Sequence, residues 1–189
     1  MFVRLISSLD MLSKICDETD MTPLGYVYTD LRTKDNTLSM WQIESMDDFN
    51  DAALSIVLPR DKVADATFII IDEKILDEFG IEYSANPPKE YHVLNSKAVH
   101  FDMTNVLVKN IDKVLSVYQR VYHEELSKNA ENEKNIIKWT TPITMQYLSD
   151  AISDGKIDNS YIKSKTTIMQ YYRKSVCSSK QPTIINGDE

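Results

Sequence analysis

Acidic side chains form the densest candidate site in the sequence, and they occur in two short clusters. The members are Asp47, Asp48 and Asp51 in the first cluster, and Asp72, Glu73, Asp77 and Glu78 in the second. The first cluster falls at the start of a predicted helix, where carboxylates interact favourably with the helix dipole. The second follows a β-branched run, and an aspartate at the end of a central strand is a common place for magnesium binding or acid–base chemistry.

Spacing argues against a metal site in the second cluster. A calcium loop needs alternating oxygen ligands and a glycine at its sixth position, whereas Gly80 is the ninth residue counted from Asp72. The sequence therefore predicts no metal ligand and no catalytic residue among these carboxylates. We expect them to face solvent or to contact a protein partner.

Three histidines, His92, His100 and His123, are the other candidates for chemistry. His92 and His100 fall on the two arms of a predicted β-hairpin, which would make them cross-strand neighbours. Two imidazoles can begin a zinc site, but such a site needs a third ligand, and the sequence contains no HExxH motif. Half-buried strand residues are the simpler interpretation. The alternative is a dispersed site in which folding joins Asp72, a histidine and a tyrosine.

Glycine and cysteine usage excludes several classes of enzyme. The chain has four glycines, far apart from one another, so neither GxGxxG nor a P-loop is present. It also lacks the GxSxG motif of serine hydrolases. Its two cysteines, Cys16 and Cys177, have no CxxC spacing, which argues against a disulfide scaffold and a cysteine-based zinc site. The sequence predicts no cofactor.

The C-terminal part mixes cations with tyrosines. Its members are Lys156, Lys163, Lys165, Arg173, Lys174 and Lys180, together with Tyr161, Tyr171 and Tyr172. Aromatic rings among cations can stack on bases and hold phosphates. Tyrosines at helical spacing are equally typical of a core, with the lysines on the solvated side. A third possibility is that the positive surface docks on the acidic part of the same chain or of a second copy.

The predicted elements that position these residues are both helical and extended. Residues 2–6 and 66–71 read as strands, the second as a central strand covered on both faces. Hairpins are predicted for residues 25–43 and 91–101. Helices are predicted from residues 9, 45, 72, 104, 141 and 159 onward. The two hairpins favour an α+β fold, with a mostly antiparallel or mixed sheet, packed helices and a helical C-terminal part.

Charge divides the chain into two parts within one expected domain. The formal net charge is −8. Residues 1–133, the expected acidic α+β core, hold 13 Lys and Arg against 24 Asp and Glu, a net charge of −11. Residues 134–180 hold 8 cations against 3 carboxylates, a net charge of +5, and are expected to form a basic helical hairpin packed on that core. Residues 181–189 are expected to be a disordered tail.

Together these features predict a binding protein rather than an enzyme. No apolar run approaches a membrane span, so we expect a cytoplasmic protein. The acidic bulk disfavours nucleic acid and anionic membranes and suits a basic protein partner. Bacterial immunity proteins and antitoxins that inhibit a toxin or nuclease have this profile. The alternative is a small enzyme with a dispersed site around Asp72 and a histidine.

Overall fold

A six-stranded antiparallel sheet lies at the centre of the computed structural model, which describes residues 1–7, 9–16, 31, 36–60, 62–87, 92–128, 134–164 and 166–179. The strands are β1 Phe2–Ile6, β2 Leu38–Gln42, β3 Ala66–Ile71, β4 Tyr83–Ala85, β5 Val99–Met103 and β6 Ile136–Trp139. Their order across the sheet is β4-β5-β2-β1-β3-β6, and every neighbouring pair is antiparallel. The expected α+β class with a mostly antiparallel sheet is confirmed.

Helices cover both faces of this sheet. In the described part of the chain they are α1 Leu9–Ile15, α2 Phe49–Val57, α3 Glu73–Glu78, α4 Ile111–Ser127, α5 Thr141–Ser153, α6 Asn159–Ile162 and α7 Thr167–Ser179. Buried side chains of α1, α3 and α4 share one cluster, on what we call the α4 face. Those of α2, α5, α6 and α7 share the other, on the α2 face. None of these helices is long and apolar enough to cross a membrane.

Alternation along the strands explains why two cores form. Successive side chains of a strand point to opposite faces of the sheet. In β3, Phe68 and Ile70 join the cluster on the α2 face, whereas Ile69 and Ile71 join the cluster on the α4 face. All six residues of β3 are buried. A strand that is apolar on both faces stays buried only where helices cover both sides.

Several sequence predictions match the structure closely. Strands β1 and β3 have the predicted bounds, and β2 is the predicted second arm of the first hairpin. The first arm of that hairpin, residues 25–32, lies outside the described residues apart from Leu31. Gly80 follows α3 with a φ of +60°, in the left-handed region that favours glycine at the end of a helix.

The second predicted hairpin is wrong in its first arm. β5 is present, but its hairpin partner is β4, with Tyr83 opposite Met103 and Ala85 opposite Phe101. Near the expected arm at residues 91–94, Val93 forms only an isolated bridge to Ile157. β4 was not predicted, because three residues are too few to show a two-residue alternation.

The C-terminal part contains more than helices. Residues 136–139 form β6, which pairs with β3 from Ala66 opposite Trp139 to Ile69 opposite Ile136. The segment expected as a helical hairpin thus begins with an edge strand of the sheet and continues as α5, α6 and α7 on the α2 face. The expected tail, residues 181–189, lies outside the described residues.

Truncation of Phe68 tests the importance of the central strand. Its ring is fully buried and packs edge-on against Phe49 and Trp139. We expect Phe68→Ala to lower the free energy of unfolding by about 3–5 kcal/mol, because it removes apolar burial and leaves a cavity. Urea denaturation measures this. The control is Val108→Ala at a side chain that is 81% exposed, where a change above about 0.5 kcal/mol is not expected.

Candidate functional site

The second acidic cluster is organised around α3. Asp72 is the residue before the helix, and its Oδ1 accepts a hydrogen bond from the backbone N–H of Lys74 at 2.9 Å. Ile75 and Leu76 bury the inner side of the helix against the α4 face. The carboxylates at 72, 73, 77 and 78 are all exposed. The cluster therefore forms the solvent side of a short helix.

Two of these carboxylates have partners within the chain. Tyr83 donates its hydroxyl hydrogen to Glu73 Oε1 at 2.5 Å. Arg120 Nη1 lies 3.8 Å from Glu78 Oε1. Asp72 and Asp77 form no ion pair within 4.0 Å among the residues that the structure describes. Part of this negative charge is therefore left to solvent.

The first acidic cluster is divided between local and long-range contacts. Asp48 completes the predicted capping box, since its Oδ2 accepts from the backbone N–H of Ser45 at 3.3 Å. Asp47 is exposed. Asp51 is largely covered, and Lys156 Nζ lies 3.1 Å from its Oδ1. This last contact joins the acidic part of the chain to the basic C-terminal part.

The segments that follow β2 and β3 lie at the same end of the sheet, because Phe2 of β1 is opposite both Gln42 and Ile71. Met46, next to Asp47, and Asp72 line the same depression of about 250 Å³. Glu124, Lys128 and Lys134 also line it, so its floor is of mixed charge. We call the exposed carboxylates at this end, Asp47, Asp72, Glu73, Asp77 and Glu78, the acidic end.

A separate cavity of about 420 Å³ lies on the α2 face. Its lining includes His92 and His100, the ring of Trp41 and the aliphatic side chains of Leu5 and Ile56. Two of the three histidines thus reach one cavity, although they are not cross-strand neighbours. Cavities of this size that combine apolar walls with a few polar groups are typical of small-molecule sites.

His100 is held by oxygen atoms of the protein at both ring nitrogens. Its Nδ1 lies 2.5 Å from the carbonyl oxygen of Asn86, and its Nε2 lies 3.8 Å from Asp102 Oδ1. Asn86 also donates its side-chain N–H to Asp102 Oδ2 at 2.5 Å. A carbonyl oxygen can only accept, so Nδ1 carries a hydrogen. With both nitrogens facing protein oxygens, His100 is poorly placed to exchange a proton with a substrate.

Asp102 is the buried charge behind this histidine. Its residue is 5% exposed, and its Oδ1 has no hydrogen-bond partner among the described residues. An unsatisfied buried carboxylate oxygen is costly, and the ring nitrogen that faces this oxygen is His100 Nε2, at 3.8 Å. Sequence reasoning missed Asp102, although His100 and Asp102 are two residues apart on one strand and therefore share a face.

His92 presents a different environment. Its ring packs on Tyr161 with a centroid distance of 4.2 Å and an interplanar angle of 31°. Tyr161 in turn donates its hydroxyl hydrogen to the carbonyl oxygen of Leu58. Within the described part of the chain, the ring nitrogens of His92 form no hydrogen bond. His92 is thus a positioned imidazole whose polar atoms are not engaged by the protein.

Asp158 stands close to His92. Hydrogen bonds from Ser160 lower the pKa of Asp158, and the charge of His92 contributes further in the same direction. Burial raises the pKa of the neighbouring Tyr161. These contacts belong to the start of α6, so they fix the loop that carries His92 to the α2 face.

The structure does not bring Asp72 to His92 or His100. His100 lies on β5, and two strands separate β5 from β3, which Asp72 follows. Three strand spacings amount to roughly 14 Å. His92 and His100 line the α2-face cavity, which Asp72 does not line. Asp72 therefore shares no site with His92 or His100, and Asp102 is the carboxylate beside His100.

Part of the basic C-terminal set is engaged inside the chain. Besides the Lys156–Asp51 pair, Arg173 donates to the carbonyl oxygens of Ile162 at 2.6 Å and Ser164 at 2.8 Å. Tyr161 is buried, whereas Tyr171 is 45% exposed. Lys165 and Lys180 lie outside the described residues. The Lys156–Asp51 pair joins the basic part to the acidic part, whereas the contacts of Arg173 lie within the C-terminal part.

No group of three or more His, Cys, Asp and Glu side chains suited to a metal ion occurs in the described ranges. Comparison of the chain with protein-family models, curated proteins and solved structures gives no match. Function is therefore argued from the two surfaces described above, the acidic end and the α2-face cavity.

Titration of Tyr83 tests the arrangement of Glu73. The hydrogen bond to Glu73 is the largest cause that raises the pKa of Tyr83 to about 12. An unfolded tyrosine has a pKa of about 10, so this contribution to stability is complete below pH ~10 and is lost as the pH rises toward the folded value. The ¹³Cζ chemical shift of Tyr83, followed as a function of pH, measures this pKa. Glu73→Gln should lower this pKa, and titration of wild-type Tyr83 near 10 would contradict the contact.

Proposed function

We propose that the protein is a non-catalytic acidic binding protein that neutralises or scaffolds a basic protein partner, as an immunity protein or antitoxin does with a toxin or nuclease. The proposed contact surface is the acidic end. Asp48 and Asp51, also predicted for partner binding, contribute less directly, because Asp48 caps a helix and Asp51 pairs with Lys156.

The observation that carries this proposal is the position of Asp77 and Glu78 in the last turn of α3. Negative charge near the C-terminal end of a helix opposes the helix dipole, and a cation is preferred there. The last turn of α3 contains no basic residue. Arg120 Nη1 offsets the charge of Glu78, but no described cation forms an ion pair with Asp77. Local stability therefore does not account for Asp77, whereas attraction of a positively charged partner does.

The negative charge of this part of the chain attracts a cationic partner from a distance. Residues 1–133 carry a net charge of −11, and five of the carboxylates behind that charge are exposed at the acidic end. A complementary field of this kind accelerates association with a cationic partner and suppresses anionic ones. A basic nuclease, whose phosphate-binding cleft attracts carboxylates, has the matching charge.

A small enzyme is the second candidate, favoured by one observation. His92 and His100 line the same cavity, and Asp102 lies behind His100. In such a site His92 would be the reactive imidazole, because both nitrogens of His100 already face protein oxygens. Asp72 has no part in it.

Charge reversal at the acidic end tests the binding proposal. Asp47→Lys, Asp77→Lys and their combination remove exposed carboxylates without breaking an ion pair described above. Affinity purification from the native host should give a stoichiometric basic partner with the wild type. With that purified partner, we expect the double variant to bind at least about tenfold more weakly and with a shallower salt dependence.

The matched control is Asp154→Lys, which makes the same charge change at an exposed position at the end of α5. It should retain nearly the wild-type affinity. If no stoichiometric partner is recovered, or if the double variant and the control lose affinity equally, the proposed surface is wrong.

A further inference from the structure

We propose that the α2-face cavity binds a small planar aromatic molecule that carries a hydrogen-bonding group. This inference is independent of the acidic end, because four of its five carboxylates belong to α3 or directly precede it on the opposite face of the sheet, and Asp47 does not line the cavity. For the second candidate function, the small enzyme, it adds only the class of ligand that the cavity binds. It requires no chemical step.

The sheet provides a fixed aromatic wall for this cavity. Trp41 is 7% exposed, and its ring meets the His100 ring edge-on, with centroids 5.3 Å apart and planes at 69°. His100 is itself anchored through Asn86 and Asp102, as described above. Leu5 of the neighbouring strand continues the wall. Because these rings are already held in place, a ligand stacks on them without the entropic cost of ordering them first.

The opposite side of the cavity combines an aliphatic roof with a polar ring, and the lining also includes Arg4, Ser39 and Ser55. Ile56 and Pro59, at the C-terminal end of α2, provide the roof. His92 provides the polar ring, since Tyr161 positions it and no described residue engages its nitrogens. A neutral imidazole offers one hydrogen-bond donor and one acceptor. A ligand can therefore stack against rings and form a hydrogen bond with His92.

Size and lining select the ligand class. The volume of about 420 Å³ is near the lower end of the usual range for small-molecule sites, which suits one or two fused rings. Aromatic pairs gain favourable edge-to-face or offset contacts that an aliphatic ring lacks. Among the described residues, the lining includes the cation Arg4 and no Asp or Glu, so an electron-rich ring or a weakly acidic substituent meets no described carboxylate there.

Titration of the full chain with indole and phenol tests this proposal, and cyclohexanol serves as the non-aromatic probe of similar size. The chain has two tryptophans, so the indole N–H signals provide an internal comparison. Trp41 lines the cavity, whereas Trp139 is 2% exposed and does not line it. We expect saturable shifts of the Trp41 signal alone, with cyclohexanol at least about fivefold weaker.

His92→Ala should weaken indole binding by about fivefold or more, because it removes a hydrogen bond and a ring contact. His123→Ala, at an exposed histidine of α4, is the matched control and should leave binding unchanged. Ile56→Trp is the second variant, which fills the cavity and should abolish binding while thermal unfolding shows that the protein is folded.

Three results would overturn the ligand site: no saturable shift at millimolar indole or phenol, equal binding of cyclohexanol, or shifts that persist in folded Ile56→Trp. Each of these concerns the α2 face alone. The partner-binding proposal is tested by variants on the acidic end, so the failure of one proposal is distinguishable from the failure of the other.

Discussion

The burial of β3 on both of its faces is the constraint on which the rest of the structure depends. Its six residues are all buried, and alternate side chains belong to two different cores. Antiparallel sheets often leave one face to water, but this sheet requires helices on both sides. The three-layer arrangement follows from that requirement, and α1, α3 and α4 are thereby separated from α2 and the C-terminal helices.

This layering also separates the two surfaces to which we assign function. Four of the five carboxylates of the acidic end belong to α3 or directly precede it, and the apolar side chains of α3 pack on the α4 face. The cavity lies on the other side, over strands β1, β2 and β5 and beside the end of α2. Because the sheet stands between them, an anionic surface and an apolar, imidazole-lined cavity coexist in one small protein.

The candidate sites show which chemical roles can be assigned before the fold is known. The capping role of Asp48 was predictable, because a capping box is a local pattern of four residues. The pairing of Asp51 with Lys156 was not, since 105 residues separate them. The contacts of His100 required β4 to be placed beside β5, which brings Asn86 to the imidazole. Acidic clusters were visible from composition, whereas the α2-face cavity was not.

The amino-acid sequence alone defined the local features of this protein: the bounds of β1 and β3, the helix starts near residues 9, 72 and 141, the uneven charge and the lack of a glycine-rich phosphate loop. These depend on periodicity, capping and composition, which neighbouring residues are enough to define. Only the tertiary structure decided the strand order, the edge strands β4 and β6, and the meeting of Trp41, His92 and His100 around one cavity. The physical reason is that these contacts join distant parts of the chain, and their partners are selected by the packing of two complete cores rather than by local spacing.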